Sequence, residues 1–197
     1  MIHHHLVTAL NSGLSIYLDP NNQAAWLDLM SDTAHDDNYL IRVYNEIIQN
    51  KPQVKPYATA GAASLPLVVA QQLSRNVRHR PLGGTANGKE SIISQQEARI
   101  EIMAGAADVC DVLSQTVYKI IQGLRKDFLA NGYLSFMINS IDELAPHESL
   151  AAEELGIFIR RISLEAMIQE GSATIRPDTV LGTLTIGLAP QGKVRPI

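Results

Sequence analysis

Six histidines and one cysteine are the side chains of this 197-residue sequence with the widest chemical repertoire, and their neighbours decide what they can do. His3, His4 and His5 are consecutive. His3 and His5 share a face of a strand, or all three spread over one helical turn, so two of them could share a metal. No nearby carboxylate or cysteine completes the three or four ligands of a zinc site, and the group reads as a native polar cluster. His35 stands beside Asp36 and Asp37, residue types that make a turn and cap a helix before they make a ligand set. His147 with Glu153 and Glu154 imitates an acid–base constellation, but these residues sit in a polar stretch leading into a strand. Gly83 through Gly88-Lys89 departs from a phosphate loop because Glu90 stands where that pattern needs Ser or Thr. There is no GxSxG elbow to frame a serine nucleophile. Cys110 falls in the first turns of a predicted helix, next to its apolar stripe, and reads as a buried core thiol. The sequence therefore predicts no catalytic, cofactor-binding or metal-ligating residue, and a protein that is not an enzyme.

Composition bounds the frame that holds these residues. Apolar residues make up 46% and charged residues 18%, enough for a core and too little charge for a disordered chain. The net charge of −4 gives no support to a nucleic-acid binder, which carries a clustered basic surplus. A lone cysteine forms no intrachain disulfide. The longest apolar run, 62–70, is interrupted by Ser64 and Pro66 and is far shorter than the roughly 18 residues of a membrane span. The N-terminal stretch lacks a basic region followed by a long apolar one, so no secretory signal is expected and the chain is expected to stay inside the cell that makes it.

The elements read as follows. Residues 2–18 and 24–31 are predicted helical, with Leu6, Leu10 and Leu14 on one stripe and Asn21 or Asn22 capping the second segment. Ile41, Val43 and Ile47 alternate with Arg42, Tyr44 and Glu46, which predicts a strand over 39–48. Further strands are predicted over 67–77, 98–103, 133–138 and 155–168. A long helix over 106–130 carries Val109, Leu113, Val117, Ile120, Leu124 and Phe128 on one face, with Asp108 in its first turn and Gly132 suited to a left-handed cap. In the last strand the apolar residues switch from odd positions (Leu155, Ile157, Ile159) to even ones (Ile162, Leu164, Ala166, Ile168), predicting a β-bulge at Arg160-Arg161. Residues 32–38, 50–65 and 81–91 read as connections. The class is α+β: a mixed, largely antiparallel sheet with one long helix packed across it, a helical N-terminal segment (1–38), a core domain (39–170) and an extended C-terminal arm (171–197).

Residues 77–169 carry a resemblance. A strand ends in the turn Arg78-His79-Arg80-Pro81-Leu82-Gly83-Gly84, a Gly-rich loop follows, and then come Arg99-Ile100-Glu101-Ile102, the amphipathic helix and the strand Glu154-Leu155-Gly156-Ile157-Phe158-Ile159-Arg160-Arg161. This pattern resembles the neck proteins of tailed bacteriophages, the tail-terminator and head–tail-joining group. The resemblance implies a structural virion protein of the neck, put together in the host cytoplasm as a homo-oligomeric ring, hexameric or dodecameric. Such a ring ends the tail tube and joins it to the head connector. Implied partners are other copies, the connector or collar, and the tube or sheath, with no membrane and no cofactor. Arg75, Arg78, His79 and Arg80 read as a solvated strand end, with passing contact to DNA in a ring lumen as the alternative. The alternating Thr183-Leu184-Thr185-Ile186 of the arm could add a strand to a neighbour's sheet edge, or pair within its own chain. A competing class is a soluble α+β enzyme or small-molecule binding module whose site residues are scattered.

Overall fold

The computed structural model describes residues 2–56, 64–79, 91–131, 133–148 and 156–171. Helix α1 (Ile2–Tyr17) buries Ile2, Leu6, Leu10 and Leu14, a four-residue spacing that keeps one stripe against the body of the protein. A 3₁₀ turn at Pro20–Asn22 follows, capped by Asp19, whose carboxylate accepts from the Asn21 amide at 2.8 Å. Asn22 precedes α2 (Gln23–Leu29) without capping it and instead donates its side-chain amide to the Ile16 carbonyl.

The expected strand over 39–48 is a helix, α3 (Asp37–Gln49). Alternation of Ile41, Val43 and Ile47 is outweighed by a second pattern in the same residues. Leu40, Val43, Tyr44 and Ile47 are spaced i, i+3, i+4, i+7 and all are buried. Asp36 starts the helix, its carboxylate accepting from the amides of Asn38 (2.9 Å) and Tyr39 (3.0 Å).

The sheet contains β1 (Gln53–Lys55), β2 (Leu67–His79), β3 (Ser91–Ala104), β4 (Tyr133–Ile141), β5 (Ala145–Pro146) and β6 (Phe158–Gly171), in the order β1-β2-β3-β6-β4 with β5 also on β6. Among the described residues only β1 with β2 is parallel. The remaining pairs are antiparallel. Helix α4 (Ala107–Ala130) lies across this sheet. Its buried residues include Val109, Leu113, Val117, Ile120 and Phe128 of the predicted stripe, and Leu124 packs partly buried against the same core. Asn131 closes the helix by donating its side-chain amide to the Asp127 carbonyl at 2.8 Å. The predicted Gly132 cap lies outside the described residues.

One core fills the space between α1, α2, α3 and α4 and a single face of the sheet, through Val68, Ala70, Ala98, Ile100, Ile102, Phe136, Ile162, Leu164 and Ala166. Burying each large aliphatic side chain there contributes about 1.5–3 kcal/mol. The helical N-terminal segment therefore shares its core with the sheet. The buried Gln96 side chain fixes the start of α1 by accepting from the Ile2 amide (3.0 Å) and donating to Ser94 Oγ (3.1 Å). At Gly13 α1 packs closely on α4: a Cβ there would stand 2.6 Å from Cγ2 of Ile120, a methyl on a stiff β-branched side chain.

No bulge interrupts β6 at Arg160-Arg161, because the strand pairs with β3 residue by residue from Phe158 to Gly171. The switch in apolar parity has another cause. Ile159 faces the far side of the sheet, where it forms a small second core with Leu67, Val69 and Met103, flanked by Leu65 and Ile157. The strand is straight and serves two cores in turn. The sheet's irregularities fall elsewhere, in β2 between Gln72 and Ser74 and in β4 between Tyr133 and Ser135 and between Ile138 and Ser140.

Candidate functional site

Two regions concentrate groups able to act on something else: a polar cluster at the N-terminal half of α4, and the outer edge of β4. The cluster centres on Asp111. Its Oδ1 accepts from Arg160 Nη1 at 2.6 Å, and its Oδ2 faces His35 Nε2 at 3.1 Å and Gln115 Nε2 at 3.0 Å. Arg160 also donates to Ser114 Oγ at 3.1 Å. His35 stacks on Tyr39 with ring centroids 4.8 Å apart, and Arg42 lies over that same ring while pairing with Asp108 at 2.8 Å. Helix α3 and the turn before it, α4 and β6 are thereby joined by one network. All four of its central groups are engaged with each other, and the arrangement clamps elements rather than presenting a free nucleophile or base.

Cys110 is fully buried under this cluster, its thiol directed to the Ile102 carbonyl at 3.4 Å and the Phe158 carbonyl at 3.6 Å. Burial pushes its pKa from 9.0 up to about 11, Arg160 opposing this and Asp111 adding to it. Between these two values the unfolded thiol ionises first, so the folded chain holds more protons and stability falls as pH rises. Denaturation midpoints compared near pH 8 and pH 10.5 are expected to show a loss of about 2 kcal/mol that is absent from Cys110→Ala. An identical alkaline loss in that variant would contradict the assignment.

The N-terminal histidines part company on α1. His3 Nδ1 is 3.4 Å from Gln72 Oε1, and the His3 and His4 rings lie 4.2 Å apart, whereas His5 Nδ1 is 2.8 Å from the Tyr133 hydroxyl. Burial lowers the His5 pKa, and the N-terminal and His4 charges lower it further. His5 borders a cavity of about 260 Å³ between α1 and the end of α4, with Asp127 and Phe128 on the opposite wall. Among the described residues there is no group of three or more His, Cys, Asp and Glu placed to hold a metal ion. His147 is described, with its amide bonded to the Ile157 carbonyl at 2.8 Å, but Glu153, Glu154, the Gly83–Lys89 loop and Arg80 lie outside the described residues. Arg75 is exposed on β2. Among the described residues no helix is long and apolar enough to cross a membrane.

The edge of β4 is the second region, and periodicity gave no warning of it. Leu134, Met137 and Ile141 are 47%, 47% and 44% exposed, three of the six large hydrophobic residues that stand out among the described ones. Between β4 and α4 opens a cleft of about 470 Å³ whose lining includes Tyr118, Arg125, Phe136 and Met137. Surface apolar groups scattered singly are ordinary; three on one nine-residue strand are a concentration, although Met137, opposite Glu165, and Ile141, opposite Ile162, point to different faces of the sheet.

The chain is thus an α+β protein whose mixed sheet is covered on one face by helices and bordered, among the described residues, by β4. No family model matches it, and no curated protein does. Among solved structures it is similar to a chain from "Virion of native gene transfer agent (GTA) particle", at 9% identity and a TM-score of 0.40, over 73% of this chain and 90% of that one.

Proposed function

We propose that this chain is a structural subunit of a tailed-phage virion, a neck protein whose copies form a ring that ends the tail tube and joins it to the head connector. The observation that carries this reading is that β4 borders the sheet among the described residues and exposes three large apolar side chains, Leu134, Met137 and Ile141. A monomer is expected to blunt such an edge with charge, proline or a covering element, whereas a subunit keeps it for a neighbour. The order of strand, helix and strands over 77–169 supports the same reading through its resemblance to the neck group. Connector or collar proteins on one side and tube or sheath proteins on the other are the partners such a ring would meet.

Native mass of the purified full chain over a range of concentrations, with images of the particle, tests the proposal. A ring of six or twelve copies is the expected species. A chain that stays monomeric at every concentration, or that turns over a small substrate, overturns it.

A further inference from the structure

We infer that the groove between α1 and the C-terminal end of α4 is a binding site for an aliphatic ammonium ion, its charge beside Asp127 and its carbon chain on Leu124 and Phe128. The site stands apart from the ring reading above, and every residue lining it is a described one. It draws nothing from the expected arm, residues 172–197, which lie outside the described residues.

The groove holds about 260 Å³, and its lining divides by depth. Phe128 is buried and Ala9 and Leu124 are half-buried, which makes an apolar floor. His5, Thr8, Asp127 and Asn131 are exposed around it as a polar rim. Such a division suits a ligand with an apolar body and one polar end.

The rim sets the sign of that end. Helix α4 runs for 24 residues and finishes at the groove, bringing the negative pole of its dipole there. Helices favour Lys or Arg at that pole, yet the last turn of α4 has no basic residue and contains Asp127. Lys126 stands about 100° round the helix from Asp127 and does not line the groove. Among the described residues no cation pairs with the Asp127 carboxylate. Asn131 spends its side-chain donor on the Asp127 carbonyl at 2.8 Å, which leaves its Oδ1 as an acceptor. An ammonium group, three donors and no acceptor, matches this surplus of acceptors and negative charge. On the opposite wall His5 Nδ1 is held 2.8 Å from the Tyr133 hydroxyl. Burial lowers the pKa of His5, as do the N-terminal and His4 charges, and those charges favour the Asp127 side for a further cation.

A free amine and the lysine side chain of a partner share this chemistry, and the test separates them. Full-length protein is titrated with ethyl-, propyl- and pentylammonium chloride at constant ionic strength, read by saturation-transfer NMR and by the thermal midpoint. Saturable binding is expected, tightening with chain length by up to about fourfold per methylene. Asp127→Asn is expected to weaken pentylammonium by about three- to fivefold. The same variant should raise the midpoint of the free protein, because it removes an acid from the negative end of α4. A midpoint that rises while the affinity stays unchanged would make Asp127 a structural residue only and overturns the inference. So does an affinity that ignores chain length, or pentanoate binding as well as pentylammonium. Nα-acetyl-lysine methylamide binding more tightly than pentylammonium assigns the groove to a partner's lysine, and binding no more tightly assigns it to a free amine. None of these readings depends on whether the chain forms rings, so a failure here leaves that proposal standing.

Discussion

Trp26→Ala is expected to cost about 3–5 kcal/mol, the usual range for truncating a buried indole. Trp26 is completely buried, and its ring lies 4.7 Å from that of Tyr44, so α2 and α3 meet through this pair. Its Nε1 donates to Thr116 Oγ1 at 3.1 Å, reaching across to α4. Alanine would leave a cavity where three helices converge, and the surrounding side chains, fixed on separate helices, collapse into it only in part. Trp26→Phe should cost much less, about 1–2 kcal/mol, because it keeps most of the buried area and leaves no orphaned donor. The Thr116 hydroxyl still has the Val112 carbonyl at 2.9 Å to receive its proton. Urea unfolding followed by far-ultraviolet circular dichroism measures both, since Trp26 is the chain's one tryptophan and its fluorescence disappears with it. A loss for Trp26→Ala no larger than that for Trp26→Phe would mean that the helices are not held together at this point.

What the sequence makes legible follows from how local the signal is. Helix α4 is long enough for its 3.6-residue repeat to be unmistakable, and β3 alternates cleanly over Ala98–Met103 before the structure extends it back to Ser91. In α3 the two periods overlap. Val43 and Ile47 belong to both patterns, and the β-branched content tips the reading towards a strand, while the Asp36 cap and the burial of Leu40 and Tyr44 decide for the helix. The parity switch in β6 is a true signal attached to the wrong cause. It marks a strand that packs on one face of the sheet and then on the other, and only the partners Leu67, Val69 and Met103 distinguish that from a bulge. Asp111 is different again. It reads as one more acid on α4, and nothing local announces that His35, 76 residues earlier, and Arg160, 49 residues later, converge on its two oxygens. The border position of β4 among the described strands is likewise a property of strand order, which places Tyr133–Ile141 there although β6 follows it in sequence.

Removing the Asp111 carboxylate is expected to destabilise the fold more than removing the guanidinium it faces. Asp111 and Arg160 side chains are 20% and 19% exposed, between the exposed pairs worth up to about 1 kcal/mol and the buried ones whose disruption costs about 3–5 kcal/mol. Asp111→Ala leaves Arg160 charged and largely enclosed, with Ser114 Oγ as its remaining partner here and with its buried Nε already lacking one. His35 and Gln115 lose their shared acceptor at the same time. A cost of about 2–3 kcal/mol follows, placed by the partial exposure. Arg160→Met keeps an apolar stem of similar length and leaves the carboxylate with His35 and Gln115 still in reach, so its cost should stay near 1 kcal/mol. Thermal or urea unfolding of the two single variants and the double variant closes the cycle, and the double should cost less than the sum of the singles because the stranded cation is gone. Strict additivity would mean that the two groups stabilise independently, and that α4 and β6 are joined by packing around Cys110 rather than by this pair.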